Sequence, residues 1–177
     1  MRVVAGTYGG RRLTAPRGDA TRPTSDRVRE ALFSVLGERV RGARVLDLFA
    51  GSGALGIEAL SRGAAEAMFV DSAPAAIRVI RANLEALAID AEVIRADVFA
   101  ASRTARAAAR QYDLVFLDPP YRLAGRLASG LTEAVGGVLA PGGLAVSESD
   151  RREPLALEIP LRDERRYGDT LIRIHGA

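Results

Sequence analysis

The peptide Asp118-Pro119-Pro120-Tyr121 directly follows the apolar run 114–117, at the end of a predicted β-strand. An amino group on a nucleobase is a poor nucleophile, because its lone pair is conjugated into the ring. The Asp118 carboxylate and the Pro119 carbonyl can bind the two amino hydrogens and orient that lone pair. Tyr121 offers a face for base stacking, although an aromatic side chain here can also pack against the fold. The peptide therefore predicts methyl transfer to an exocyclic amino nitrogen, handled by Asp118, Pro119 and Tyr121.

A second candidate site is the turn 51–56, Gly-Ser-Gly-Ala-Leu-Gly, between a predicted strand and a predicted helix. Glycine permits a left-handed backbone and a close approach by a ligand, and a helix start offers unpaired amides. We therefore expect a nucleotide-type ligand at this turn. On its own, the spacing fits NAD and S-adenosylmethionine equally well.

Aspartates at the ends of three successive predicted strands favour S-adenosylmethionine. Asp47 can hold the amino group of its methionine part, a role that pyrophosphate binding does not need. Asp71 can accept hydrogen bonds from the ribose hydroxyls. Asp97 and the Val98 amide can bind adenine, although a strand-end aspartate also commonly caps the next helix. The predicted cofactor-binding residues are Asp47, Gly51, Gly53, Asp71, Asp97 and Val98.

A parallel α/β sheet would bring these residues together at one edge. From residue 44 onward, short apolar runs alternate with longer segments of helical periodicity, which is typical of βαβ units. We predict strands near 44–49, 67–71, 92–95, 113–118 and 144–149, and helices near 53–62, 74–88, 99–110 and 123–139. A Pro-Gly-Gly turn at 141–143 should precede the fifth strand. The tail should add strands at 155–159 and 170–175, joined by the charged segment 162–169.

The amino-terminal part reads as a small addition to this sheet. Segments 2–5 and 11–15 flank a Tyr-Gly-Gly turn and predict a β-hairpin. An amphipathic helix follows behind Thr24-Ser25-Asp26, with its apolar positions at helical spacing. We expect a basic hairpin extension over residues 1–21 and a methyltransferase domain over 22–177.

Positive charge is concentrated in this amino-terminal part. Residues 1–45 contain ten arginines and four acidic residues, a balance of +6, so the remainder carries −3 of the overall +3. Such a module suggests a polyanionic partner, since neutralising phosphates releases counterions. An ordinary solvated arginine-rich surface is the alternative.

Composition excludes several functions. The chain has no cysteine, which excludes disulfides, thiolate metal sites and a thiol nucleophile such as cytosine C5 methyltransferases use. We expect no metal and no membrane span, and the cytoplasm is the default location. The one histidine, His175, is expected to be structural.

Three segments together carry a resemblance to a known family. They are 22–33, Arg-Pro-Thr-Ser-Asp-Arg-Val-Arg-Glu-Ala-Leu-Phe; 46–64, which contains the glycine-rich turn; and 118–121. In these segments the sequence resembles the bacterial 16S ribosomal RNA guanine-N2 methyltransferases of the RsmD type, which are class I S-adenosylmethionine-dependent enzymes. The resemblance runs essentially end to end, with a less distinctive match after Asp150.

The resemblance implies a Rossmann-like seven-stranded sheet with an antiparallel last strand. It also implies methylation of guanine N2 in 16S rRNA of the small ribosomal subunit or an assembly intermediate, with S-adenosylmethionine as cofactor. Its amino-terminal motif places Arg22, Thr24 and Arg27 on the substrate side. Together with the basic hairpin, the predicted RNA-binding residues are Arg11, Arg12, Arg22, Thr24 and Arg27.

Three other functions remain open on the residues alone. An adenine-N6 DNA methyltransferase would share the peptide 118–121, although such enzymes usually add a target-recognition domain. An NAD-dependent oxidoreductase is disfavoured, because a chain without lysine lacks the usual Tyr/Lys pair. A non-catalytic RNA-binding assembly protein would have no need for an intact Asp118-Pro119-Pro120-Tyr121.

Overall fold

The computed structural model describes residues 1–16, 25–120 and 124–176. Within them, the chain forms one mixed sheet with helices on both faces. The strands are β1 (Arg44–Leu48), β2 (Glu66–Asp71), β3 (Glu92–Arg95), β4 (Tyr112–Leu117), β5 (Leu139–Asp150), β6 (Leu161–Tyr167) and β7 (Thr170–His175). The helices are α1 (Asp26–Leu36), α2 (Ala54–Ser61), α3 (Pro74–Ala86), α4 (Val98–Ala107) and α5 (Ala124–Gly136), and a 3-10 turn (Gly37–Val40) follows α1.

The strand order is β3-β2-β1-β4-β5-β7-β6. Strands β1 to β5 are parallel, whereas β7 pairs antiparallel with both β5 and β6. This confirms the predicted α/β fold with seven strands and an antiparallel last strand. The order reverses between β1 and β4, and in open α/β sheets ligands bind at the carboxyl ends of the strands beside such a reversal.

Two apolar cores lie on opposite faces of the sheet. One contains side chains of the amino-terminal residues, α1, α2 and α3, packed on Val45, Phe69 and Phe116. The other contains side chains of α4 and α5 packed on the alternate strand positions, such as Leu46 and Val115. Because side chains alternate along a strand, each position on β1, β2 or β4 can be assigned to one face.

The predicted tail strand over 155–159 is wrong. Residues 154–160 form no strand; Leu155 and Leu157 are buried in the core under α4 and α5. The strand is instead β6, within the segment that we predicted to be a charged connection. It lies at the sheet edge, where charged side chains are common because only one side is paired and solvent is accessible. Ion pairs such as Arg173–Glu164, with an Nε–Oε2 distance of 2.9 Å, link β6 to β7.

The predicted turn 141–143 lies inside β5 rather than before it. The pairing of β4 with β5 shifts register there, from Tyr112 opposite Leu139 to Leu114 opposite Leu144. Extra residues on β5 therefore form a bulge, which glycine tolerates well.

The amino-terminal residues 1–16 pack directly on the sheet domain. Arg2 and Arg12 form one antiparallel bridge, and the Val3 amide donates to the Arg11 carbonyl at 2.9 Å. This is a bridge and not two full strands, so a separate hairpin extension stays a prediction. Val3 and Leu13 are buried in the same core as α1 and α2.

Across the described parts of the chain, no helix combines the length and the apolar character that a membrane span requires.

Candidate active site

The glycine-rich turn connects β1 to α2 at the carboxyl edge of the sheet. Gly51 and Gly53 have φ angles of 56° and 77°, a left-handed backbone that other residues rarely adopt. A β-carbon at Gly56 would lie 2.4 Å from Cε1 of Phe69 on β2, so this glycine allows α2 to pack closely on the sheet. The first two glycines therefore shape the turn, and the third fixes the helix that follows it.

Asp47 lies beneath this turn and is 2% exposed. Its Oδ2 accepts a hydrogen bond of 2.9 Å from the Gly56 amide. Burial, which outweighs that hydrogen bond, together with the nearby charge of Asp71 raises the pKa of Asp47 to about 7. A buried carboxylate with a raised pKa is well matched to an ammonium group, because a cation offsets its loss of hydration.

Asp71 ends β2 beside the turn. Its Oδ2 accepts from the Gly51 amide at 2.9 Å, and its Oδ1 accepts from the Ala73 amide at 2.8 Å. Asp71 therefore fixes the backbone of the first glycine from the carboxyl end of β2.

Asp97 follows β3 and caps α4. Its Oδ1 accepts from the amides of Phe99 and Ala100 at 3.0 and 3.3 Å. This is the capping alternative that the sequence left open. The Asp97 side chain is exposed, so capping does not prevent a role in adenine binding, and Val98 beside it is buried.

Asp118 follows β4, across the reversal of strand order from Asp47. It lies two residues after Phe116, and alternation places its side chain on the face that also holds Asp47 and Asp71. Burial, then the charges of Glu148 and Asp47, raises the pKa of Asp118 well above its usual range. Three acidic groups thus share one edge of the sheet.

Glu148 is a further acidic group at this edge, and the sequence motifs do not reveal it. It is 4% exposed, and the parallel register of Leu117 opposite Ser147 places it beside Asp118. The available signal was an acidic residue inside an apolar strand pattern, Ala-Val-Ser-Glu-Ser. Buried carboxylates are rare unless they have a structural or chemical purpose.

The predicted RNA-binding residues lie on the amino-terminal side of the chain. Arg11, Arg12 and Arg27 are exposed, and the Arg11 Nη2 donates to the Ala86 carbonyl at the end of α3 at 2.9 Å. Arg22, Thr24 and Tyr121 lie outside the described residues.

Buried charges connect the amino-terminal residues to α2. Glu58 is fully buried and accepts from the amides of Val4 and Ala5 at 2.7 and 3.0 Å. Its Oε1 also accepts from Arg62 at 2.7 Å, and its Oε2 lies 3.8 Å from Nε of the buried Arg29. Residue type conceals this cluster, because charged side chains in a helix are usually assigned to solvent, whereas Arg29 and Glu58 lie on buried helix faces.

His175 has the surroundings of a structural residue. It is buried in β7, and its Nδ1 donates to the Ile159 carbonyl at 3.0 Å. Burial lowers its pKa, which favours the neutral ring. Among the side chains that the structure describes, no group of three or more His, Asp or Glu residues is arranged to hold a metal ion.

Comparison with known proteins assigns this arrangement to a family. The family described as Conserved hypothetical protein 95 matches residues 1–176. The Ribosomal RNA small subunit methyltransferase D of Haemophilus influenzae is 36% identical over 161 residues, which cover 88% of this chain and 81% of that protein. The protein of the same name from Escherichia coli K12 is 41% identical over 125 residues, covering 69% of this chain and 61% of that protein.

Solved structures share the fold of this chain over most or all of its length. A hypothetical protein of Thermus thermophilus has a TM-score of 0.86 and 31% identity, covering 100% of this chain and 99% of that chain. The T. thermophilus 16S rRNA N2 G1207 methyltransferase, solved with AdoMet and guanosine, has a TM-score of 0.73 and 27% identity over 92% of this chain and 45% of that one. The chain therefore belongs to the family described as Conserved hypothetical protein 95, and it is a methyltransferase with the class I fold.

Proposed function

We propose that this protein uses S-adenosylmethionine to methylate N2 of a guanine in 16S rRNA of the small ribosomal subunit or an assembly intermediate. The observation that carries the proposal is the position of Asp118-Pro119 across the strand-order reversal from the glycine turn, on the same sheet face as Asp47. The two acceptors for the amine would then lie beside the edge of the sheet that would bind the cofactor. The names of the two relatives and the bound guanosine of the Thermus enzyme support rRNA as substrate and guanine as target.

Residues at the edge formed by β1, β2 and β3 fit the cofactor. Asp47 would bind its ammonium group, and the left-handed Gly51 and Gly53 would let it approach the backbone closely. Asp71 would accept from the ribose hydroxyls, and Asp97 with the Val98 amide would bind adenine. When bound, S-adenosylmethionine supplies a methyl group on a positively charged sulfur, which is already activated for displacement.

Asp118 and Pro119 would present the amine. Two fixed acceptors orient the nitrogen lone pair, so most of the catalysis comes from positioning rather than from a strong base. The amine hydrogens favour the ionised form of Asp118, against the surroundings that raise its pKa. The Asp118 carboxylate or water would then take the proton that the methylated nitrogen releases, and Tyr121 would stack on the base.

The amino-terminal arginines would hold the RNA. Arg11, Arg12 and Arg27 are exposed, and Arg22 and Thr24 belong to the same stretch of sequence. The target guanine must be unpaired or flipped, which costs roughly a few kcal/mol. Contacts from the basic residues 1–21 would help to offset that cost, with the rest of the specificity supplied by the particle.

The experiment is transfer of labelled methyl from S-adenosylmethionine to unmethylated 16S RNA, unmethylated small subunits and duplex DNA, followed by digestion to nucleosides. We expect N2-methylguanosine from the RNA or the subunits. N6-methyladenine from DNA would keep the chemistry but contradict the substrate, since that family of enzymes shares the peptide 118–121. Cofactor binding without transfer to any of the three would favour a non-catalytic assembly protein.

A further inference from the structure

Asn83 on α3 connects the amino-terminal residues to the glycine turn. It is 3% exposed, and its side-chain amide makes three hydrogen bonds. Its Oδ1 accepts from the Thr14 amide at 2.9 Å, and its Nδ2 donates to the Thr14 carbonyl at 3.0 Å and to the Ser52 carbonyl at 2.9 Å. These partners fix the amide orientation, because a backbone amide only donates and a carbonyl only accepts.

The Ser52 carbonyl belongs to the turn that would bind the cofactor. The neighbouring Gly51 amide is held by Asp71, so the turn is fixed from β2 on one side and from α3 on the other. Met1 adds a contact, since its Sδ lies 3.5 Å from the Ser52 hydroxyl oxygen. The amino-terminal residues therefore contact the turn directly and through Asn83.

Thr14 lies at the other end of this connection, close to the basic stretch that would bind RNA. It follows Arg11 and Arg12 along the chain and precedes Arg22, Thr24 and Arg27. The same segment is anchored to α2, where the Thr7 amide donates to the Ser61 carbonyl at 2.8 Å. A β-carbon at Gly6 would lie 1.8 Å from that carbonyl oxygen, so the contact leaves no space. Displacement of this segment would therefore be transmitted to the elements that flank the turn.

We propose that Asn83 is a positioning residue that couples RNA binding by the amino-terminal residues to cofactor binding by the glycine turn, so that each ligand strengthens the other. This inference rests on the proposed function. RNA bound to the neighbouring arginines would stabilise the two hydrogen bonds between Thr14 and Asn83, and through Asn83 it would hold the Ser52 carbonyl in the cofactor-binding arrangement. Linkage requires the effect to be reciprocal, and couplings between sites are typically about 5- to 150-fold in affinity.

The test measures the affinity of the full chain for S-adenosylhomocysteine by calorimetry, with and without saturating unmethylated 16S RNA or, where only the particle is methylated, unmethylated small subunits. For the wild type we expect RNA to tighten this binding by about fivefold or more. In Asn83→Ala, which removes all three hydrogen bonds, RNA should change the affinity by less than about twofold. The control is Ile80→Val, which shortens a buried apolar side chain on the same helix. It should retain the wild-type ratio of the affinity with RNA to the affinity without RNA.

An Asn83→Ala ratio equal to that of the wild type would overturn the inference, and so would a wild-type ratio of one for RNA that is bound and methylated. If neither the RNA nor the small subunits are bound and methylated, the proposed function is overturned instead. If Asn83→Ala does not fold, deuterium exchange of the wild type decides. RNA alone should slow exchange in the peptide 48–56, and unchanged exchange would contradict the coupling.

Discussion

At the residue scale, Asp47 combines two opposing requirements. Its buried carboxylate destabilises the empty fold when it is ionised, yet an ionised carboxylate is what a cationic amino group needs. The folded pKa of about 7 lies above the unfolded value of 3.8. The folded state therefore binds more protons between these values, and the contribution of Asp47 to stability falls as pH rises from 3.8 to about 7.

Asp47→Asn should separate the two requirements. The amide keeps an acceptor for the Gly56 N–H but removes the charge, so we expect stability at pH 8 to increase, by on the order of a few kcal/mol at most. The gain should shrink as pH is lowered toward 5. S-adenosylhomocysteine affinity should fall by about tenfold or more, since a charged partner of the ammonium group is lost. Thermal unfolding at several pH values and calorimetry measure the two effects.

Asp113→Asn is the matched control. The hydrogen bond from Arg44 lowers the pKa of Asp113, so its carboxylate adds stability above the unfolded pKa and loses that contribution as pH falls. This substitution should therefore destabilise the fold at pH 8 and have less effect in acid, without changing cofactor affinity. A stability change of the same sign in both variants would contradict the explanation for Asp47.

The sequence predicts Asp47 and Asp118 but not Glu148. Asp47 is predicted because an acidic residue near the end of a strand precedes a glycine-rich turn. Asp118 is predicted because it precedes two prolines. Glu148 has no motif, and only the register of β5 against β4 places it beside Asp118. Residue spacing along the chain carries no information about which strands will be neighbours.

At the element scale, the packing of α2 on β2 determines the geometry of the glycine turn. Gly56→Ala should destabilise the protein by about 1–3 kcal/mol, because the added methyl group would overlap the Phe69 ring. Cofactor affinity should fall as well, since α2 and the turn would shift together. Denaturant unfolding and calorimetry measure both effects.

The control for that substitution is Gly136→Ala at the end of α5. A β-carbon there meets no atom within 4 Å, and alanine favours the helix, so stability should be unchanged or slightly higher. Equal destabilisation by the two substitutions would contradict the contact with Phe69 as the cause of the cost, since a β-carbon at Gly136 has no such neighbour.

A strand can be predicted from the sequence where burial on both faces requires a run of apolar residues. Strands β1, β2 and β4 are buried on both faces and therefore appear as apolar runs, and their predicted bounds lie within one or two residues of the observed ones. The edge strand β6 has the sequence Leu-Arg-Asp-Glu-Arg-Arg-Tyr and pairs through its backbone, and its charged side chains form ion pairs. Its composition resembles a loop, whereas the buried Leu155 and Leu157 belong to an irregular segment.

At the scale of the whole molecule, charge is divided between an amino-terminal region of +6 and a remainder of −3. The double substitution of Arg11 and Arg12 by Ala should weaken RNA binding and reduce the salt dependence of the affinity. Each lost phosphate contact lowers the slope of log K against log salt by about 0.7–0.9. Filter binding of 16S RNA at several salt concentrations measures that slope.

A control with the same change in net charge is available on β6. Arg165 and Arg166 are exposed and pair with Asp163 and Glu164 at the far edge of the sheet. Replacing both by Ala should leave the salt slope nearly unchanged. An equal reduction in slope from both double variants would mean that overall charge, and not the amino-terminal region, determines RNA affinity.

The relation between the amino-terminal region and the sheet domain was less predictable. Its turn residues suggest an independent hairpin, yet Val3 and Leu13 are buried against the helices and Glu58 binds two of its backbone amides. Those contacts to Glu58 join residues more than fifty positions apart, and local periodicity does not encode them. The division of the chain at residue 21 therefore remains a proposal about which residues bind RNA. It does not describe how the chain packs.

Asp118 is central to the proposed function, in which it presents the amine and does not hold the cofactor. The most direct test is single-turnover methyl transfer to unmethylated small subunits by Asp118→Ala at saturating S-adenosylmethionine, with S-adenosylhomocysteine affinity measured on the same preparation. We predict a rate lower by on the order of 10²-fold or more at unchanged cofactor affinity, since an acceptor needed at the reacting nitrogen is lost. A loss of cofactor affinity as large as the loss of rate, or a rate equal to that of the wild type, would contradict this role.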